Sequence, residues 1–119
     1  MRQTVPRPAP PPGLPARRAA LDILSLVRAG ASLDEALGKC RSFEALEGAD
    51  RAFARALAST VLRRQGGIDA VIGAYIDKPL PKRAEKATDI LRLAAAQSAI
   101  LGTADHAAVS TAVALAQAF

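Results

Sequence analysis

Aromatic side chains are nearly missing from this sequence, which has Phe43, Phe53, Phe119 and Tyr75 and no tryptophan. Large ring-on-ring packing is therefore excluded, and a core must come from Leu, Ile, Val and Ala. Much of the hydrophobic half of the chain is alanine, a strong helix former that adds little bulk, so helices must approach closely. The one cysteine, Cys40, cannot form an internal disulfide, which fits a reducing compartment. With one histidine, His106, and one cysteine, no His/Cys zinc site can be assembled. The apolar runs are far too short to span a bilayer. The N-terminus carries Arg2 and Arg7 but then runs into prolines, without the apolar core of a signal peptide. The default location is the cytoplasm, with no membrane partner.

At 119 residues the chain has room for one domain. A domain of this size buries roughly 65% of its extended surface, enough for a single core. The net charge of +5 and the pI of about 10.1 favour a polyanionic partner, either nucleic acid or an anionic surface.

Residues 1–15 hold all but two of the eight prolines. Proline fixes φ and donates no backbone hydrogen bond, so this stretch reads as a disordered arm, a solvated leader rather than an SH3-type ligand. The body, residues 16–119, reads as helices throughout. The first runs from Ala16 to Ala29, with Ala20, Ile23, Leu24 and Val27 on one face and Gly30 as its stop. Ser32 and Glu35 have the spacing of a capping box for a short helix ending near Gly38. A polar connection over residues 38–49 leads to a helix from Asp50 to Gln65, with a stripe of Phe53, Leu57 and Val61, broken by Gly66-Gly67. A fourth helix carries Ile68, Val71, Ile72, Tyr75 and Ile76. After a turn at Asp77-Lys78-Pro79-Leu80-Pro81, a fifth spans Lys82 to Leu101 with Ala87, Ile90, Leu91, Ala94 and Leu101 inward. A last helix over residues 106–119, capped by Thr103 or Asp105, carries Val109, Ala112, Val113 and Ala116 inward. No strand pattern occurs, and the fold class is an all-α bundle. The last helix reaches Phe119 without a C-cap, so a truncated final helix is expected.

Catalytic constellations are lacking. Asp105-His106 reads as a local hydrogen bond at a helix start rather than an acid–base pair. No serine sits in a Gly-x-Ser-x-Gly context, and Gly66-Gly67 lacks the strand and spacing of a phosphate loop. Cys40 has no evident basic partner. No catalytic residue and no metal ligand is assigned.

The basic residues are segregated. Cations outnumber acids between Arg51 and Arg92, and before Asp22 there are arginines and no acid, whereas acids lead from Asp22 to Glu47. An arginine-rich arm entering a helix can follow a phosphate backbone and release counterions. Arg17 and Arg18 lie at a helix N-terminus, and Lys82 and Arg83 open another, where the dipole disfavours cations. Ligand contact explains them better than helix stability. The candidate RNA-binding residues are Arg7, Arg17, Arg18, Arg63, Arg64, Lys82 and Arg83. With so few aromatics, binding is expected to be driven mostly by charge and shape.

Several segments carry a resemblance: Ala16 to Leu24, Asp50-Arg51, Val61 to Arg64, Tyr75 to Leu80, Ile90 to Ala94, and Asp105-His106-Ala107-Ala108-Val109. Together they resemble the NusB-like RNA-binding domain, and more closely the N-terminal domain of the RsmB (Sun/Fmu) ribosomal RNA cytosine-C5 methyltransferases. The Lys78-Pro79-Leu80 turn and the Asp105 to Val109 segment point to that branch. The resemblance implies a bundle of two packed three-helix subdomains and an RNA-contacting helix start matching Arg17 and Arg18. It also implies a separate catalytic domain that holds S-adenosylmethionine, so no cofactor is expected in this chain. Cys40 matches neither catalytic cysteine, and the family's usual last helix is absent. Small-subunit ribosomal RNA is the implied ligand, and a C-terminal methyltransferase domain or a ribosomal protein a possible protein partner. The alternatives are a free-standing antitermination factor and a protein–protein interaction bundle.

Overall fold

The computed structural model describes residues 12–75, 81 and 84–117, apart from the side chains of Tyr75 and Val109. Arg7 and the rest of the arm through Pro11 lie outside the described residues, as do Ile76 to Leu80, Lys82 and Arg83. Six helices follow one another: α1 (Leu14–Arg28), α2 (Leu33–Lys39), α3 (Arg41–Glu44), α4 (Gly48–Tyr75), α5 (Glu85–Ala99) and α6 (Asp105–Gln117). Among the described residues there is no strand, in agreement with the all-α expectation. No helix described is long and apolar enough to cross a membrane.

The central element is α1, which packs against every other helix. Its residues Ala16, Ala19, Ala20, Leu21, Ile23 and Leu24 are buried, a wider surface than the expected stripe, and Val27 is only partly covered. The alanines let neighbours come close: Ala20 on α1 and Ala54 and Ala58 on α4 have no exposed surface. The helix starts two residues earlier than expected, at Leu14, so Pro15 lies within its first turn. Proline is tolerated there because the first amides have no partner inside the helix.

The capping box forms as anticipated. The Glu35 amide donates to Ser32 Oγ at 3.1 Å, and the Ser32 amide donates to Glu35 Oε1 at 3.5 Å. The following connection is less polar than its composition suggested. It contains the one-turn α3, and Cys40, Phe43 and Leu46 all enter the core.

The two expected helices are present as two arms of α4, and the break between them lies at Arg64 rather than at the glycines. Gly66 and Gly67 stay helical within α4, and the irregularity falls at Arg64 (φ −117°, ψ 20°). Glycine weakens a helix by about 1 kcal/mol relative to alanine but does not end it when tertiary contacts hold the next turn. Those contacts are the buried Ile68, the Arg28–Gln65 hydrogen bond at 2.6 Å and the Arg92–Asp69 pair. One core of buried side chains nevertheless runs from α1 through both arms of α4 to α5 and α6.

The inward faces of α5 and α6 differ from the expected ones. On α5 the buried residues are Asp89, Ile90, Arg92, Leu93, Ala96 and Gln97, while Ala87 and Leu91 face solvent. On α6, Ala108, Thr111 and Leu115 are buried and Val113 is half exposed. A hydrophobicity pattern misplaces these faces because polar side chains occupy interior positions. Asp89 accepts from Arg28 Nη2 and from Arg92 Nη1, each at 2.9 Å. Arg92 reaches on to both Asp69 oxygens, at 2.7 and 3.0 Å. Glu85 completes the group through Arg28 at 3.1 Å. Among the described residues every buried charge thus has a partner, as the low interior dielectric demands. Thr111 Oγ1 turns back to Ala107 O at 2.7 Å.

Candidate nucleic-acid interface

The left-handed backbone of Gly48 (φ 56°) turns the chain from α3 into α4. Along α4, Ala54, Leu57, Ala58 and Val61 bury the side that faces α1. Arg51, Arg55, Ser59 and Arg63 recur every four residues, so they form a slowly drifting row on the outer side. The burial of one face therefore fixes the row on the other. From Arg51 to Arg63 the row is ~18 Å long at 1.5 Å rise per residue.

This row is one wall of an open groove of about 870 Å³. The opposite wall is Asp34, Leu37 and Gly38 of α2, and Phe43 of α3 closes it. Three arginines face a single carboxylate. Arg51 Cζ lies 4.3 Å from the centre of the Phe43 ring, and its Nη1 donates to Phe43 O at 3.3 Å. Arg55 and Arg63 are exposed and have no hydrogen bond or ion pair among the described residues. Away from the groove, on α5 and the second arm of α4, the carboxylates of Glu85, Asp89 and Asp69 are held by Arg28 and Arg92. The Arg92 guanidinium is held even more firmly protonated than usual, chiefly by its hydrogen bond with Asp69, against the opposing effect of burial.

The structure does not gather the anticipated site residues in one place. Arg63 lines the groove. Its neighbour Arg64, at the kink, borders a separate apolar hollow of about 230 Å³ with Ile68, Val71 and Ile100. Arg18 is half exposed and pairs with Asp22 at 3.4 Å. Arg17 is fixed against the body. Its Nε donates to Gln97 Oε1 at 2.9 Å, its Nη1 to Gly13 O at 3.3 Å, and its Cζ lies 4.4 Å from the centre of the Phe53 ring. Burial lowers its pKa, with Asp50 acting in the opposite direction. Arg17 thus ties α1 to α4 and α5, a tertiary role beside the RNA contact expected of it. Arg7, Lys82 and Arg83 lie outside the described residues.

Arg51 and Arg55 were absent from the sequence-derived candidates. Their i, i+4 spacing, continued by Arg63, was the available signal. Cys40 is buried, with its Sγ 3.2 Å from Ser42 Oγ, and Ser42 donates to Asp22 at 2.6 Å. His106 is exposed at the start of α6, and the local hydrogen bond expected of it is not formed among the described residues. Among those residues, no cluster of His, Cys, Asp and Glu is suited to a metal ion.

Fold and surface together define a small helical binding domain with an arginine-lined groove. Residues 14–119 match the NusB family model, and the chain belongs to the NusB family. No curated protein and no solved structure matched it.

Proposed function

We propose that this chain is an RNA-binding module. The observation that carries the reading is the row of Arg51, Arg55 and Arg63, with one facing carboxylate, on a domain of the NusB family. Arginine suits this task because its planar fork pairs with phosphate and its face stacks on bases. Arg18 and Arg64, and with them Arg7, Lys82 and Arg83, would extend the electrostatic footprint. The test is titration of fluorescently labelled single-stranded RNA at several salt concentrations. Log affinity should fall linearly with log salt, by roughly 0.7 per phosphate contacted. Absence of binding at low salt would remove the reading.

In its finer form, the proposal is that the module serves a cytoplasmic ribosomal RNA cytosine-C5 methyltransferase. It would deliver small-subunit ribosomal RNA to a separate domain that holds S-adenosylmethionine. The Lys78-Pro79-Leu80 and Asp105 to Val109 segments support this branch. The second reading is a free-standing antitermination-type factor with a protein partner such as a ribosomal protein. What favours it is the apolar hollow between α4 and α5, beside which Val71 stands 46% exposed. Binding of unmodified small-subunit ribosomal RNA in clear preference to unrelated single-stranded RNA favours the first.

A further inference from the structure

We infer that Arg51, backed by Phe43, is a stacking platform for one unpaired base, and that Arg55 and Arg63 hold the phosphates of the same strand in the α2–α4 groove. The inference rests on the RNA reading and gives it a binding mode.

Three observations combine. First, the Arg51 guanidinium is immobilised on its inner side by the Phe43 ring and by the Phe43 carbonyl. Phe43 is itself buried, at 4% exposure, so the platform is rigid. Arg51 is exposed and lines the groove, and its outer face is the one left to a ligand. A guanidinium plane fixed in this way accepts a base without first losing side-chain freedom. In a protein with so few aromatics it takes the place of an aromatic platform.

Second, Arg55 and Arg63 lie further along the row with Ser59 between them. They have charge to offer and no acid partner among the described residues. This suits the regular anions of a strand whose base is held at one end.

Third, the facing wall is kept low. Gly38 sits inside α2, where glycine costs stability. A Cβ built there would meet nothing within 4 Å, and its φ is not in the left-handed region. Neither packing nor backbone geometry requires glycine at this position. Its effect is to leave the groove open opposite the arginines. The volume of about 870 Å³ falls within the range of ~300–1,000 Å³ common for ligand sites, and suits a short single-stranded segment.

The test uses the whole chain and three probes of equal length: a single-stranded oligoribonucleotide, an abasic ribose-phosphate oligomer and polyglutamate. The wild-type chain should bind the oligoribonucleotide more tightly than the abasic oligomer. Arg51→Lys keeps the charge but removes the plane. It should weaken oligoribonucleotide binding on the order of tenfold and leave abasic binding unchanged. The double variant Arg55→Ala/Arg63→Ala should weaken both and flatten the salt slope by about 1.4, at ~0.7 per contact. Gly38→Gln should weaken both while the melting temperature holds or rises. Arg51→Lys binding both oligomers like wild type would overturn the platform. Unchanged affinity in the double variant and in Gly38→Gln would overturn the groove, with RNA binding itself intact. If wild type binds no ribose-phosphate probe, the RNA reading falls, and binding of polyglutamate in its place would mark the groove as a site for an acidic peptide.

Discussion

Arg17 on α1 donates from Nε to Gln97 Oε1 on α5 at 2.9 Å, joining two residues eighty positions apart. Gln97 is 1% exposed and spends its amide nitrogen on Leu93 O at 2.9 Å. Each group of the Gln97 amide therefore has a partner, and removing Arg17 leaves its oxygen stranded. Arg17→Ala should destabilise the fold by about 1–3 kcal/mol, the cost of an unsatisfied buried acceptor and a lost charged hydrogen bond. Arg18→Ala should change stability by less than ~1 kcal/mol, since its pair with Asp22 is half exposed. Denaturant titration of both variants checks the contrast. Equal midpoints would show that Arg17 contributes no more than a surface arginine.

The Arg28–Asp89–Arg92 group links α1 to α5 and, through Asp69 and Gln65, to the second arm of α4. Asp89→Ala removes a shared carboxylate but leaves Arg28 with Glu85 and Gln65 and Arg92 with Asp69. A loss of about 2–3 kcal/mol is expected from the charged hydrogen bonds that disappear. Glu35→Ala, at the exposed Lys39 pair and the capping box, should cost only about 1 kcal/mol. Thermal melts monitored by circular dichroism distinguish the two.

Alanine contacts set how closely α1 and α4 approach. Ala58 has no exposed surface, so Ala58→Leu forces three carbons into a filled space. Overpacking of this kind costs about 1–3 kcal/mol, sometimes more. Ala70→Leu, on the exposed side of the same helix, should stay within about 0.5 kcal/mol of wild type. A similar penalty at both positions would mean that the interface yields easily.

Cys40 is 3% exposed and sits against Ala19 O and Ser42. A thiol reagent should modify the native chain slowly and the denatured chain at once. Immediate stoichiometric labelling of native protein would place Cys40 at the surface.

The chain alone, mixed with S-adenosylmethionine and unmodified small-subunit ribosomal RNA, should transfer no methyl group if, as proposed, catalysis belongs to a separate domain. Detectable transfer of label to RNA would overturn the proposed division of labour.

Local chemistry was legible in the residues themselves. The Ser32–Glu35 box forms because both partners lie within one turn, and its geometry needs nothing from the rest of the chain. The helical character of the described body follows in the same way from alanine-rich periodic segments. The candidate site was legible only in part. Arg63 was among the residues the sequence offered, but Arg51 and Arg55 were not, because they gain meaning only once α2 and Phe43 stand opposite them.

What the sequence determined by itself was the helical character of its segments, the Ser32–Glu35 cap and the excess of positive charge, which depend on composition or on neighbours a few residues away. Tertiary structure alone decided which arginines are available. Arg17, Arg28 and Arg92 look like any others in the sequence, yet partners 80, 61 and 23 positions distant hold them in place. Arg55 and Arg63, by contrast, have no hydrogen bond or ion pair among the described residues, whereas Asp89 is taken up by Arg28 and Arg92. The same long-range pairing carried α4 through Gly66 and Gly67 and turned the polar face of α5 inward, since a buried charge is stable only where the fold brings its counter-charge to it.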